Sequence, residues 1–286
     1  MDLVSYLEEK KKIIDQYLEN KLPSEKENPS LLHRSIRYSV LNGGKRLRPI
    51  LTIMSAELLG NSYEKVLPTA AGIELIHTFS LIHDDLPCMD NDDYRRGKLT
   101  NHKVFGEAIA VLTGDALLVM GLDFIYQNVK VEGVTRDSVF LVIENILTML
   151  GTKQMLGGQV DDINWHREKE DPDYIKNIYL KKTSALICAS LQAGALLSHA
   201  NQKQILALNN YGENIGFAFQ ITDDLIDLQQ DKKDDDKPTY SSIFGLKEAQ
   251  EEVRRCCQQA KEYMMIFGGK AQLFYELADF IPNREK

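Results

Sequence analysis

The stretch "IELIHTFSLIHDDLPCMDNDDYRRGK", Ile73 to Lys98, decides how the chain is read. Apolar residues at helical spacing run to Ile82, then give way abruptly to aspartates, followed by Arg95, Arg96 and Lys98. The spacing predicts a helix near 72–85 that is apolar around much of its circumference, and such a helix belongs in the middle of a bundle. A second helix of this kind is expected near 204–230, where "GFAFQITDDLIDL" again ends an apolar run in aspartates. Carboxylates gathered at C-terminal helix ends oppose the macrodipole and need a compensating cation.

Helical periodicity continues outward from these two segments. Leu3, Leu7, Ile14 and Leu18 make one stripe, and "SLLHRSIRYSVLNGG" offers Ser30 as an N-cap and Gly43-Gly44 as a stop. "EDPDYIKNIYLKKTSALI" opens with Asp171 and Pro172, suited to an N-cap and a first helical position. Sustained apolar–polar alternation is scarce, so few strands are expected. No low-complexity linker divides the chain. The reading is all-α: one domain over 1–286, a bundle of roughly ten helices around a central apolar cavity.

Net charge is −8, from 34 basic and 42 acidic side chains. That balance argues against nucleic acid as a partner while leaving room for a local basic pocket. With 43% hydrophobic and 27% charged residues the composition is ordinary for a globular protein. The N-terminus lacks a signal peptide's unbroken apolar core, and no run of about eighteen uninterrupted apolar residues predicts a membrane span. Cys88 and Cys188 stand apart and Cys256 and Cys257 are adjacent, with no CxxC spacing. Reduced thiols in a cytoplasmic protein are expected.

The two acidic motifs carry the chemistry. Asp223 and Asp227 are four apart and share a helix face, with Asp224 beside them. Asp84 and Asp90 are six apart, which a regular helix would place far around its circumference. Pro87 disfavours helical geometry at Leu86, so the chain is expected to turn Asp90 back toward Asp84 and Asp85. Oxygen-only ligands suit magnesium, which keeps several waters and shares itself with substrate phosphates. Arg95 and Arg96 supply fixed positive charge that matches phosphate oxygens, and Lys45, Arg46 and Arg48 of "NGGKRLRP" add more. His77 lies two turns before Asp84, ~10 Å along the same face. The combination implies magnesium-assisted departure of a diphosphate beside apolar walls.

On "GGKRLRP", "HTFSLIHDDLPCMDNDDYRRGKLTNHKVFGEAIAVLTGDALL", "GGQVDD", "KKTSALI", "FQITDDLID" and "KPTY", the chain resembles the trans-prenyl diphosphate synthases, most closely bacterial-type farnesyl diphosphate synthases. The resemblance implies the isoprenoid synthase fold, a homodimer, and condensation of isopentenyl diphosphate with dimethylallyl or geranyl diphosphate. The implied product is mainly (2E,6E)-farnesyl diphosphate, with diphosphate released. By the same resemblance, Lys45, Arg48, His77 and Arg96 hold isopentenyl diphosphate. Asp84, Asp85, Asp90, Asp223 and Asp227 hold magnesium, three ions bridging to the allylic diphosphate. Arg95 binds that diphosphate, Lys182, Thr183 and Gln220 line the allylic substrate and favour its cation, and Gln159 and Asp162 form a polar pair near it. Phe79, five residues and ~7.5 Å before Asp84 along the helix, is expected to floor the tunnel and stop the chain at farnesyl length.

Two departures from the family pattern stand out. The family's loop lysine has no clean counterpart in "LQQDKKDDD", leaving Lys232, Lys233 or Lys237 to replace it, with Lys237 assigned to the allylic diphosphate. The tail "ADFIPNREK" carries Pro282, and Arg284 is a candidate for the basic C-terminus that approaches the isopentenyl site in this family. Alternatives are a geranylgeranyl diphosphate synthase and a non-catalytic subunit of a heteromeric synthase, though such subunits tend to lose one acidic motif. A class I terpene cyclase would lack the "GGKRLRP" arm. An EF-hand-like calcium protein would need loop spacing that is absent.

Overall fold

Facing glycines set a close helix contact between α4 (Leu67–Asp84) and α6 (Glu107–Gln127). A Cβ on Gly72 would lie 2.5 Å from the Gly121 carbonyl oxygen, and a Cβ on Gly121 would lie 2.6 Å from Ile76. Missing side chains at facing positions let the two backbones approach. α4 then buries Ile73, Leu75, Ile76, Phe79 and Ile82, which is the mid-bundle placement its all-round apolar character implied.

The computed structural model describes residues 2–164, 172–229 and 239–284. The chain folds into two compact units: Leu3–Glu57 with Asn61–Ile143, and Leu58–Gly60 with Glu144–Lys286. The first contains α1 (Leu3–Lys21), α2 (Ser30–Val40), nearly all of α3 (Leu47–Leu58), α4, the short α5 (Asn101–Phe105), α6 and the first half of α7 (Arg136–Leu150). The second contains the rest of α7, then α8 (Met155–Ile163), α9 (Pro172–Tyr179), α10 (Ala185–Leu197), α11 (Gln202–Gln229), α12 (Tyr240–Phe244), α13 (Leu246–Met264) and α14 (Gln272–Phe280). The fold is all-α. Among the described residues the only sheet is a two-residue antiparallel ladder, β1 (Tyr94–Arg95) on β2 (Lys98–Leu99).

In the first unit, Arg46 ties three segments together: its guanidinium donates to Asp15 at 2.7 Å, to Glu74 at 2.6 Å and to the Val40 carbonyl at 2.6 Å. Arg46 and Glu74 are 2% and 1% exposed, so removing either partner would strand a buried charge. In the second unit α11 packs on α10 and α13, with Tyr211 fully buried and donating to the Phe274 carbonyl at 2.9 Å.

Local geometry amends one sequence expectation. Pro29, not Ser30, takes the cap position of α2, because its carbonyl already accepts from the His33 amide at 3.2 Å, and no side chain caps that end. Pro172 is the first residue of α9, as its type predicts; Asp171 lies outside the described residues.

Candidate active site

α4 ends at Asp84, and the chain then doubles back. The Met89 amide donates to the Leu86 carbonyl at 2.8 Å and the Asp90 amide to the Asp84 carbonyl at 2.9 Å. Asp90 thus returns to the helix end from which six helical residues would have carried it away. The Leu86-Pro87 pair makes this possible by breaking the ladder. Asp85 goes elsewhere: it is buried, and Arg95 donates to its Oδ1 from Nε at 2.9 Å and to Asp92 at 2.9 Å. Burial pushes the Asp85 carboxyl up against the opposing pull of Arg95.

Arg95 and Arg96 are presented in different directions by the tight turn of the β1–β2 hairpin. Arg96 and Gly97 both have left-handed backbones, φ 54° and 78°, and Arg96 accepts a conformation that a non-glycine residue rarely adopts. Its guanidinium donates to the Gly43 carbonyl and lies where a Cβ on Gly44 would be, 2.5 Å away. The glycine turn of "NGGKRLRP" is therefore the seat of Arg96. Arg48, further along that segment, sits with Nη1 3.2 Å from His77 Nε2. Lys45, between them in sequence, is exposed.

The first unit thus assembles Arg48, His77 and Arg96 as a basic cluster, with Lys45 on the same segment. Burial, then the guanidinium groups of Arg48, Arg96, Arg46 and Arg95, hold His77 well below the ordinary imidazole range, so it is neutral at physiological pH. Burial also lowers Arg48 to about 10. Arg48 Nε and His77 Nδ1 are buried with no hydrogen-bond partner. Polar atoms stranded beside excess positive charge are suited to an anion that accepts hydrogen bonds. Phe79 is 8% exposed and meets the His83 ring edge-on at 5.0 Å, while His83 Nε2 lies 3.1 Å from the Val111 carbonyl of α6.

In the second unit the candidate residues converge on a wide π-type turn, Leu180–Ser184, between α9 and α10. Turns of this width inside helices recur at functional sites. Gly158 explains how α8 reaches it: a Cβ there would lie 2.7 Å from Lys181 Cβ and 2.7 Å from the Lys182 amide nitrogen. Lys182 Nζ donates to Asp162 at 2.7 Å and Lys181 Nζ to Asp161 at 2.9 Å. Thr183 Oγ1 donates to Gln220 Oε1 at 2.8 Å, and Gln220 Nε2 donates to Asp224 Oδ1 at 3.1 Å. Asp224 also accepts from the Tyr179 hydroxyl, which in turn accepts from the Tyr240 amide at 3.1 Å. Burial pushes the Asp224 carboxyl up to about 6 despite these donors.

Asp223 and Asp227 lie one turn apart on α11, Asp223 ion-paired with Arg284. Gln159 lies on α8 with Asp162. Lys232, Lys233 and Lys237 lie outside the described residues. Sequence reasoning passed over Tyr179, whose link to Asp224 has no signal in spacing because the partners are 45 residues apart. Arg284, a candidate for the family's basic C-terminus, is ion-paired with Asp223, a link that spacing could not show.

Among the described residues no three carboxylate, imidazole or thiol side chains are gathered into a complete ligand set. The backbones of Asp84 and Asp90 are joined at the end of α4, and Asp223 and Asp227 lie one turn apart on α11, so each motif can offer two carboxylates. Such pairs fit magnesium, which is commonly held by one or two carboxylates and completed by water and substrate phosphate. They do not fit a dedicated protein cage.

Residues 29–260 match the family model described as polyprenyl synthetase. The chain is 41% identical over 294 residues to a geranylgeranyl diphosphate synthase of Cyanophora paradoxa, covering 99% of this chain and 97% of that one. It is 37% identical over 294 residues to the farnesyl diphosphate synthase of Bacillus subtilis, with 99% and 98% covered. The crystal structure of an FPP/GFPP synthase from Zymomonas mobilis superposes with a TM-score of 0.90 at 34% identity, covering 98% of each chain. The chain belongs to the polyprenyl synthetase family, and its chemistry is prenyl chain elongation.

Proposed function

We propose that this prenyltransferase condenses isopentenyl diphosphate with dimethylallyl and then geranyl diphosphate, giving mainly (2E,6E)-farnesyl diphosphate. The observation that carries the diphosphate reading is the basic cluster of Arg48, His77 and Arg96, with its two buried polar atoms lacking partners. Neutral His77 can donate one hydrogen bond to a diphosphate oxygen while Arg48 and Arg96 supply charge. Lys45 completes this group, which holds isopentenyl diphosphate in the proposal.

Asp84, Asp85, Asp90, Asp223 and Asp227 are the proposed metal ligands, with Asp85 also holding Arg95. Arg95 is partly neutralised by Asp85, so an allylic diphosphate must draw it from that carboxylate or share it. Magnesium, when bound, supplies positive charge that stabilises the departing diphosphate. Heterolysis of the allylic C–O bond leaves a carbocation; the isopentenyl double bond attacks it, and the proton lost afterwards passes to the expelled diphosphate. Lys182, fixed by Asp162, adds charge for the leaving group. The Thr183 hydroxyl donates to Gln220 and so keeps oxygen lone pairs available to a developing positive centre. Apolar surroundings delay capture of that cation by water.

Product length is assigned to Phe79. Its ring is buried one turn before His83 and wedged against it, so a chain growing along α4 toward this residue meets an aromatic floor. A geranylgeranyl product is the second reading, favoured by the 41% identity to the Cyanophora enzyme. Incubation with isopentenyl diphosphate and each of dimethylallyl, geranyl and farnesyl diphosphate, with and without magnesium, separates them by chain length. C15 from the first two primers and no elongation of the third is expected; dominant C20 refutes the farnesyl assignment, and no product refutes elongation.

A homodimer and a cytoplasmic location are further parts of the proposal. α6 exposes Val111, Leu112, Val119 and Tyr126, and α7 exposes Phe140, Leu141 and Leu147. The segments Glu107–Lys130 and Arg136–Ile163 are apolar and long enough to cross a bilayer, with only 39% and 28% of their apolar windows buried. A second copy of this chain is the proposed cover for these faces. Sedimentation at micromolar concentration without detergent checks this: a dimer supports it, and a monomer that requires detergent refutes it.

A further inference from the structure

The C-terminal turn places Arg284 beside the second acidic motif. Its side chain is 2% exposed and ion-paired with Asp223. Its guanidinium carbon lies 3.8 Å from the centroid of Phe219, one helical turn before Asp223, so one ring face and one carboxylate hold it. Nε, Nη1 and Nη2 are all buried without a hydrogen-bond partner, so Asp223 is met as an ion pair only and the donors are left unmade. A cavity of about 170 Å³, lined by Arg284 with Thr222, Ile226 and Arg254, adjoins the same side chain. The guanidinium is therefore held by one ion pair and one ring face, with space beside it.

An arginine on Asp223 Oδ1 takes the lone pairs a divalent ion would use, and a second cation beside a buried guanidinium is repelled by it. We propose that Arg284 is a metal-gated clasp that holds Asp223 until a divalent cation takes the carboxylate, whereupon the C-terminal turn is freed. Coupling of this kind is reciprocal: the factor by which the arginine weakens metal binding is the factor by which the metal weakens the arginine's hold. The clasp sets the occupancy of the second acidic motif through a residue outside that motif. It rests on the reading of Asp223 as a metal ligand.

Manganese(II) binding to the full chain, followed by electron paramagnetic resonance, tests it. Arg284→Ala and Arg284→Gln are each expected to bind manganese at least threefold more tightly than the parent, and Asp223→Asn should abolish that difference. In the unmodified protein, manganese should speed amide exchange at residues 281, 283 and 284, a readout that needs no variant to fold. Equal or weaker binding in both Arg284 variants, or unchanged exchange with manganese bound through Asp223, overturns the clasp alone. Manganese binding unaltered by Asp223→Asn overturns the metal-ligand reading and the clasp with it.

Discussion

His77 offers a direct measure of the electrostatic field at the basic cluster. Burial and four nearby guanidinium groups keep its imidazole neutral far below its ordinary pKa of 6.5. In the unfolded chain that field is gone and the ring protonates below about pH 6.5. Below that pH the unfolded state therefore binds one proton that the folded state refuses, so stability falls as pH falls. The slope for one such group is about 1.4 kcal/mol per pH unit. As pH falls below 6.5 the parent should lose stability that His77→Gln, with no proton to gain, does not lose. Urea unfolding at fixed protein concentration across that range gives the difference between the two proteins, in which all other titrations cancel. Inorganic diphosphate should shrink this difference, because negative charge beside Arg48 and Arg96 favours the imidazolium. A parent-minus-variant difference that does not change with pH would refute the neutral histidine and the field argument behind it.

Phe79→Ala removes the proposed floor, and liquid chromatography of the products should show chains longer than C15; an unchanged product spectrum would defeat the assignment. Gly158→Ala drives a Cβ into the Lys181–Lys182 backbone at 2.7 Å, and thermal unfolding should register a loss of ~1–3 kcal/mol, with turnover falling as the π-type turn shifts. Gln220→Leu breaks the link from Thr183 to Asp224. Turnover should fall more than tenfold with the Michaelis constant for isopentenyl diphosphate nearly unchanged; the reverse split would move Gln220 to the isopentenyl side. In metal-free buffer, Asp224→Asn should stabilise the protein above pH 6, since a carboxyl raised to about 6 by burial costs stability once ionised; denaturant melts at pH 5 and 7.5 check the sign.

The helices themselves were legible because α4 and α11 bury most of their apolar residues and then stop in aspartates, a pattern that periodicity and composition expose locally. Pro87 announced the end of α4 and the return of Asp90, since the restriction it imposes acts on the preceding residue alone. The basic cluster was half legible: "NGGKRLRP" and "YRRGK" were visible as charge, but only the folded chain seats Arg96 on Gly43 and Gly44 and leaves Arg48 and His77 in contact. The pairings Asp85–Arg95, Asp162–Lys182, Asp224–Tyr179 and Asp223–Arg284 were not legible. Each joins side chains whose separation in sequence has no relation to their separation in space, and which member of a pair is buried differs: Asp85 in one, Arg284 in another. By itself the sequence determined the all-α class, the two acidic helix ends and the family. Which aspartates are claimed by arginine, lysine or tyrosine was decided by tertiary packing, because desolvation acts only once the chain has closed around the charge.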